Sequence, residues 1–280
     1  MLPRSFLYVP ANRTDLFMKA AGGAADAVVL DLEDAVPLPE KPEARASVRA
    51  WLESEPVTRA ELWVRVNATS IDEDLDSVVR PGLGGVFLAG CRLSGLEEAA
   101  RALARWEPER GLPDGAVRIV GLVEDAAGLL ELAGMAAHPR LTAFGIGEVD
   151  LLGDLRMARS SRSEAAVLAL RTQVVVHSAA AGLEAPVAPT STDFRDLDAF
   201  AEGTRGMVEL GFRSRTAIHP SQVAVIHDVL TPTADAAEAA RDVVRRFEAA
   251  DRGVTTDASG RLIDAAVVRA ARETLARCPG

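Results

Sequence analysis

Short apolar runs and longer amphipathic segments alternate eight times in the first 230 residues, an order that very few folds accommodate. The runs predict strands at Ser5–Val9, Ala27–Leu32, Leu62–Val66, Gly85–Leu88, Arg118–Val123, Leu141–Ile146, Ala185–Ala188 and Thr216–Ile218. Between and after them, apolar residues three and four apart predict helices over Arg13–Ala21, Pro42–Leu52, Ile71–Val79, Leu96–Trp106, Ala126–Ala136, Ser163–Ala181, Leu197–Leu210 and Ser221–Val229. Eight strand–helix units imply an α/β fold, a closed (β/α)8 TIM barrel over residues 1–230. At 280 residues and 48% hydrophobic, the chain can fill one core of that size. Residues 231–280 fall outside the eightfold pattern: a helix over Ala234–Ala250, a Gly-bearing break at Asp251–Gly260 and a last helix over Ile263–Arg277 form a C-terminal helical extension or lid.

The net charge of −10 and the lack of a basic cluster interleaved with aromatics argue against nucleic acid as a partner. Cys91 and Cys278 make no CxxC pattern, so neither a disulfide framework nor a zinc site is indicated. No apolar run is long enough to cross a bilayer and the N-terminus lacks a signal-peptide core, so a soluble, cytoplasmic protein without a membrane partner is expected. The 31 basic residues include two lysines, Lys19 and Lys41, and neither is placed to form a Schiff base. No nucleophile elbow, P-loop or dinucleotide fingerprint opens a helix after a strand.

In such barrels the chemistry gathers where strands end and the following loops begin. Strand 1 leads into Arg13, strand 2 ends in Asp31, Glu33 and Asp34, and strand 3 ends in Arg65 and Asn67. Strand 5 ends at Glu124, strand 6 runs into Asp150, and strands 7 and 8 deliver Ser191, Asp193 and His219. Three carboxylates at the end of a buried strand cost folding free energy unless a cation compensates them, which points to a metal-dependent site. Glu124 and Asp150, backed by Asp31, Glu33 and Asp34, offer hard oxygen ligands suited to Mg²⁺. Arg65 is shaped to hold a substrate carboxylate in two-pronged fashion, and Arg13 could take a second carboxylate or a phosphate. An anionic substrate and metal-assisted enolate or carbonyl chemistry are therefore expected.

Several motifs resemble the citrate lyase beta-subunit-like branch of the HpcH/HpaI aldolase superfamily, which includes malyl-CoA and citramalyl-CoA lyases. They are Arg4-Ser-Phe-Leu-Tyr-Val-Pro-Ala-Asn-Arg13, Ala25-Asp-Ala-Val-Val-Leu-Asp-Leu-Glu-Asp-Ala35, Val64-Arg-Val-Asn67, Gly145-Ile-Gly-Glu-Val-Asp-Leu151, Asp193-Phe-Arg-Asp196, Ala217-Ile-His-Pro-Ser-Gln222 and Gly260-Arg-Leu-Ile-Asp264. The resemblance covers nearly the whole chain. It implies a TIM barrel, commonly a homotrimer, with Mg²⁺ held by Glu124 and Asp150 and an oxo-acid carboxylate on Arg65. It also implies that Asp264 is a catalytic acid/base that reaches the site of a neighbouring subunit. The chain departs from the family at Leu88-Ala-Gly-Cys91, where a Pro-Lys pair is frequent, and at Val123-Glu-Asp-Ala126, which keeps Glu124.

The function implied is reversible, Claisen-type cleavage of a citryl, citramalyl or malyl thioester of coenzyme A or a carrier protein, giving an oxo acid and an acyl thioester. Arg13, Glu124 and His219 join Arg65 as expected substrate contacts. Three alternatives remain: hydrolysis, as in a malyl-CoA thioesterase or malate-synthase-like enzyme; a carrier-protein-dependent subunit active only in a citrate lyase complex; and an aldolase acting on free oxo acids.

Overall fold

The computed structural model describes residues 1–250 and 254–278, so the first residues of the Gly-bearing break, 251–253, lie outside the described residues. The barrel strands are Ser5–Pro10 (β1), Ala27–Asp31 (β2), Glu61–Val66 (β3), Leu83–Leu88 (β4), Arg118–Val123 (β5), Leu141–Ile146 (β6), Val187–Ala188 (β7) and Ser214–Ala217 (β8). All neighbours pair in parallel and β8 returns to β1, with Phe6 opposite Thr216, so the barrel is closed. Around it run Phe17–Ala21 (α1), Lys41–Glu53 (α2), Ile71–Val78 (α3), Leu93–Glu109 (α4), Ala126–Ala136 (α5), Glu148–Asp154 (α6), Glu164–Ala180 (α7), Leu197–Leu210 (α8) and Pro220–Leu230 (α9).

Several strands differ from the expected bounds by one or two residues, and for β7 and β8 the structure gives the cause. Strand β7 shrinks to Val187–Ala188 because Pro186 and Pro189 flank it, and neither can donate to a ladder. Strand β8 stops before Ile218 because the Ile218 amide donates to Gln222 Oε1 at 2.9 Å. It starts two residues earlier than predicted, since Arg215 is buried against the Phe200 ring at 3.9 Å and donates to Thr204 Oγ1. Helix α6, directly after β6, was not anticipated.

Inward-facing residues recur every second position along a strand. Phe6, Trp63 and Phe87 meet edge to face inside the barrel, with centroids 5.2, 5.0 and 5.7 Å apart. Val29, Val120, Leu122, Ala143 and Val187 complete this apolar plug. Gly85 makes room for it: a Cβ there would lie 2.7 Å from Arg118 O and overlap the Trp63 ring. Each large buried side chain contributes about 2–3 kcal/mol. The plug is therefore a rigid floor beneath whatever sits at the strand ends.

The chain divides into two compact units, Met1–Ile226 and His227–Gly280. The second contains Ala234–Glu248 (α10), the antiparallel pair Thr255–Thr256 (β9) and Leu262–Ile263 (β10), and Ala265–Ala276 (α11). Much of the expected break is thus a hairpin, turned by Asp257 Oδ1 accepting from the Ser259 and Arg261 amides and by Gly260 at φ +84°. Among the described residues no helix is long and apolar enough to cross a membrane.

Candidate active site

Following the two-residue period upward from the apolar plug gives the site its composition. Trp63 is followed on the inner face by Arg65, Val29 by Asp31, Phe6 by Tyr8, and Leu122 by Glu124. A cavity of about 490 Å³ opens there, lined among others by Tyr8, Asp31, Arg65, Glu124, Asp150 and Thr216.

Arg65 is the centre of charge. Its Nε and Nη2 bond both oxygens of Asp31 at 2.7 and 2.6 Å, the two residues standing opposite each other on β2 and β3. Nη1 lies 2.9 Å from Glu33 Oε2 and 3.9 Å from Asp34 Oδ2, and the guanidinium covers the Tyr8 ring at 5.1 Å. Burial alone would lower the Arg65 pKa, but the hydrogen bond and charge of Asp31 outweigh it and hold the group above its ordinary value. The compensation that the sequence reading assigned to a metal is therefore supplied to Asp31, Glu33 and Asp34 by Arg65. Lys41 secures the same loop, its Nζ donating to Leu32 O, Glu33 O and Asn67 Oδ1 at 2.7, 2.9 and 2.8 Å. Asn67 also bonds Asp74 Oδ2 through its amide and side chain and is structural.

Glu124 lines the same cavity. Burial pushes its carboxyl up to about 7, the charges of Glu33 and Asp150 add to this, and the Gly90 amide and Arg65 oppose it. The Gly90 N–H donates to Glu124 Oε2, so the sequence departure after β4 places a backbone donor beside the carboxylate. Gly147 leaves the other oxygen its space: a Cβ there would come within 2.5 Å of Glu124 Oε1. Glu33, also driven up mainly by burial, reaches about 7 as well.

Asp150 is carried on α6, exposed at the cavity. The helix is held by a residue that sequence reasoning overlooked: buried Glu148 accepts from Arg171 Nε and Nη2 at 2.6 and 2.8 Å and pairs with Arg159. That pair spans 23 residues, so no local pattern announces it. Tyr8 was also missed, as were Thr190 and Thr216, whose hydroxyls bond each other at 2.6 Å on the cavity wall. Period-two inspection of β1 would have pointed Tyr8 inward with Phe6.

The remaining expected residues scatter. Arg13 is exposed, paired with Asp15 at 2.7 Å, and does not line the cavity. His219 lies beyond β8, its ring stacked on Phe194 at 5.1 Å and its Nδ1 2.7 Å from Ser221 Oγ, next to the cavity-lining Ile218. Ser191 Oγ donates to Asp193 O, and Asp193 Oδ1 accepts from the Arg195 and Asp196 amides, both local turn roles. In the second unit, Asp264 caps α11, with Oδ1 accepting from the Ala266 and Val267 amides at 2.9 and 3.0 Å. Its Oδ2 has no hydrogen-bond partner among the described residues.

The cavity lining contains carboxylates, hydroxyls and one guanidinium, with no His or Cys. Among the described residues no group of three or more His, Cys, Asp or Glu could cage a metal ion. Two carboxylates with space for water and substrate oxygens suit Mg²⁺, which rarely takes an all-protein cage. Glu124 and Asp150, both in the cavity lining, could supply such a pair.

A family model described as HpcH/HpaI aldolase/citrate lyase matches residues 4–220. The (3S)-malyl-CoA thioesterase of Cereibacter sphaeroides (strain ATCC 17025 / ATH 2.4.3) is 32% identical, over 98% of this chain and 94% of its own length. The citrate lyase subunit beta of Escherichia coli (strain K12) is 29% identical over 98% and 92%. Among solved structures, the CitE protein of Mycobacterium tuberculosis, in complex with magnesium, acetoacetate and coenzyme A, aligns with a TM-score of 0.76. It is 26% identical and is covered over 97% of its chain by 98% of this one.

Proposed function

The chain belongs to the HpcH/HpaI aldolase/citrate lyase family, and from that premise we propose that it is a Mg²⁺-dependent carbon–carbon lyase acting on a β-hydroxyacyl thioester. The substrate is a citryl, citramalyl or malyl thioester of coenzyme A or a carrier protein, cleaved reversibly to an oxo acid and an acyl thioester. One observation carries the reading: a single cavity contains a carboxylate-braced arginine and, separately, two hard carboxylates. Arg65 Nη1 and Nη2 carry two N–H groups each, so bonding to Asp31 and Glu33 does not exhaust them. A substrate carboxylate can therefore join without displacing the internal pairs.

Glu124 and Asp150 would hold Mg²⁺, which when bound supplies Lewis acidity to the oxygen that becomes the keto group. The chain's residues perform the rest. Arg65 orients the oxo-acid half and balances its charge. A base removes the β-hydroxyl proton, the carbon–carbon bond breaks, and its electrons pass to the thioester as an enolate. The proton taken from the β-hydroxyl passes to Asp264 Oδ2, the oxygen that the helix cap does not use, which delivers it to the enolate carbon. His219, stacked on Phe194, is proposed to meet the thioester arm. Release of oxo acid, followed by trapping with phenylhydrazine, is expected to stop on chelation and return with added Mg²⁺; persistence after exhaustive chelation would remove the metal from the account.

Asp264 is proposed to act in a neighbouring subunit of a homotrimer. Asp264→Ala and Glu124→Ala proteins, each inactive, are expected to regain partial activity after subunit exchange, because some sites then combine an intact Glu124 with an intact Asp264. Mixed oligomers that stay inactive, or full turnover by Asp264→Ala alone, would return the residue to a helix-capping role.

Hydrolysis is the second reading, supported by the malyl-CoA thioesterase relative, and it uses the same substrate and site.

A further inference from the structure

Tyr8 is the one tyrosine in the chain, and its position is unusual for a side chain with a polar end. It follows Phe6 on the inner face of β1, its ring contacts Phe87 at 6.2 Å, and the Arg65 guanidinium covers it at 5.1 Å. The ring belongs to the apolar plug, yet the residue lines the cavity. Its hydroxyl makes no hydrogen bond to another described residue, and since Tyr8 is half-buried and lines the cavity, that hydroxyl is open to whatever enters. The plug needs only the ring.

Electrostatics give that hydroxyl a use. The cavity wall carries Asp31, Asp34, Glu124, Glu148 and Asp150. Glu148 is paired with Arg171, and Glu124 and Asp150 would be balanced by Mg²⁺, but Asp31 and Glu33 already occupy Arg65 and compete with an entering carboxylate for it. A neutral donor stabilises the incoming anion without strengthening its competitors for Arg65. Burial, followed by the charges of Asp31, Glu124 and Glu33, opposes ionisation of Tyr8 and keeps the phenol protonated, while Arg65 pulls the other way without prevailing.

We propose that Tyr8 is a further substrate-binding residue, whose hydroxyl donates to the oxo-acid carboxylate held by Arg65 and so selects for thioesters with a carboxylated acid half. The inference rests on the lyase reading of the site. Arg65 supplies two-pronged N–H donors, and Tyr8 supplies a third donor to a lone pair those leave free; an ionised carboxylate accepts about four.

The test is Tyr8→Phe, which removes one oxygen and retains the ring, its packing and the contact with Arg65. Pyruvate, glyoxylate and oxaloacetate are titrated calorimetrically into wild type and variant in the presence of Mg²⁺, with coenzyme A and Mg²⁺ titrated separately. Oxo-acid affinity is expected to fall about tenfold, as for a lost hydrogen bond to a charged group. Coenzyme A and Mg²⁺ affinities should be unchanged, and KM for the thioester should rise more than kcat falls. Equal oxo-acid affinities in the two proteins would overturn the Tyr8 assignment and leave the lyase reading standing. If the wild type binds no oxo acid at all, the lyase reading fails and this inference falls with it. Parallel losses of Mg²⁺ or coenzyme A affinity would point to a disturbed barrel and overturn a specific hydrogen bond.

Discussion

Arg65→Lys is expected to lower kcat/KM for the thioester about a thousandfold. A lysine places one ammonium where the guanidinium offers a planar fork, so it cannot hold Asp31 through two parallel bonds and an incoming carboxylate as well. Losing two charge-assisted hydrogen bonds to the substrate, each worth about 1.5–3 kcal/mol, corresponds to that reduction. Stability should fall too, since Asp31 is 3% exposed and a buried carboxylate with a weakened partner is costly. The two effects separate by measurement: Mg²⁺ affinity should survive in folded variant protein because Glu124 and Asp150 are untouched, whereas oxo-acid binding should not. Near-normal kinetics in Arg65→Lys would make the residue a brace for the β2 loop and nothing more.

Glu124→Gln is expected to abolish Mg²⁺-dependent turnover while making the metal-free protein more stable at pH 8. The sign follows from burial, which raises the folded-state pKa from 4.5 to about 7. A carboxyl raised in this way adds stability that is fully present below pH 4.5 and lost progressively as pH climbs to about 7. Above pH 7 the ionised group costs about 3 kcal/mol relative to a neutral one. Glutamine keeps an oxygen to accept the Gly90 N–H and carries no charge. Urea unfolding with EDTA should therefore show the variant ahead at pH 8 and the gap closing towards pH 4.5. Mg²⁺ should raise the stability of wild type and leave the variant where it was. A variant weaker than wild type at pH 8, or stabilised equally by Mg²⁺, would contradict the assignment.

Much of this architecture was legible because barrel strands buried on both faces are written as uninterrupted apolar runs. Arg118–Val123 and Leu141–Ile146 are occupied as expected, and Ala126–Ala136 and Leu197–Leu210 begin and end where their apolar spacing predicts. The departures each have a non-local or backbone cause. Pro186 and Pro189 trim β7, and an amide bonded to Gln222 ends β8. Helix α6 is seven residues long and relies on Glu148 meeting Arg171 from another helix, a contact that periodicity cannot reveal.

The site was legible in its residue types and less so in its pairings. Arg65, Glu124 and Asp150 share a cavity as their strand-end positions suggest. The carboxylates after β2 were read as cation-seeking, which they are, but their partner is an arginine on the adjacent strand. Only the register that sets Asp31 opposite Arg65 discloses it. Arg13 illustrates the opposite error: a basic residue in a loop at the strand ends, exposed and paired with Asp15 two residues on.

The central claim, carbon–carbon cleavage of a β-hydroxyacyl thioester, is tested most directly by product identification. Citryl, citramalyl and malyl thioesters of coenzyme A are each incubated with the purified protein and Mg²⁺, and the products are resolved by mass. The account predicts that at least one gives an oxo acid and a shortened acyl-coenzyme A in equal amounts. Free coenzyme A with the intact hydroxy acid, or no turnover of any of the three, would contradict it.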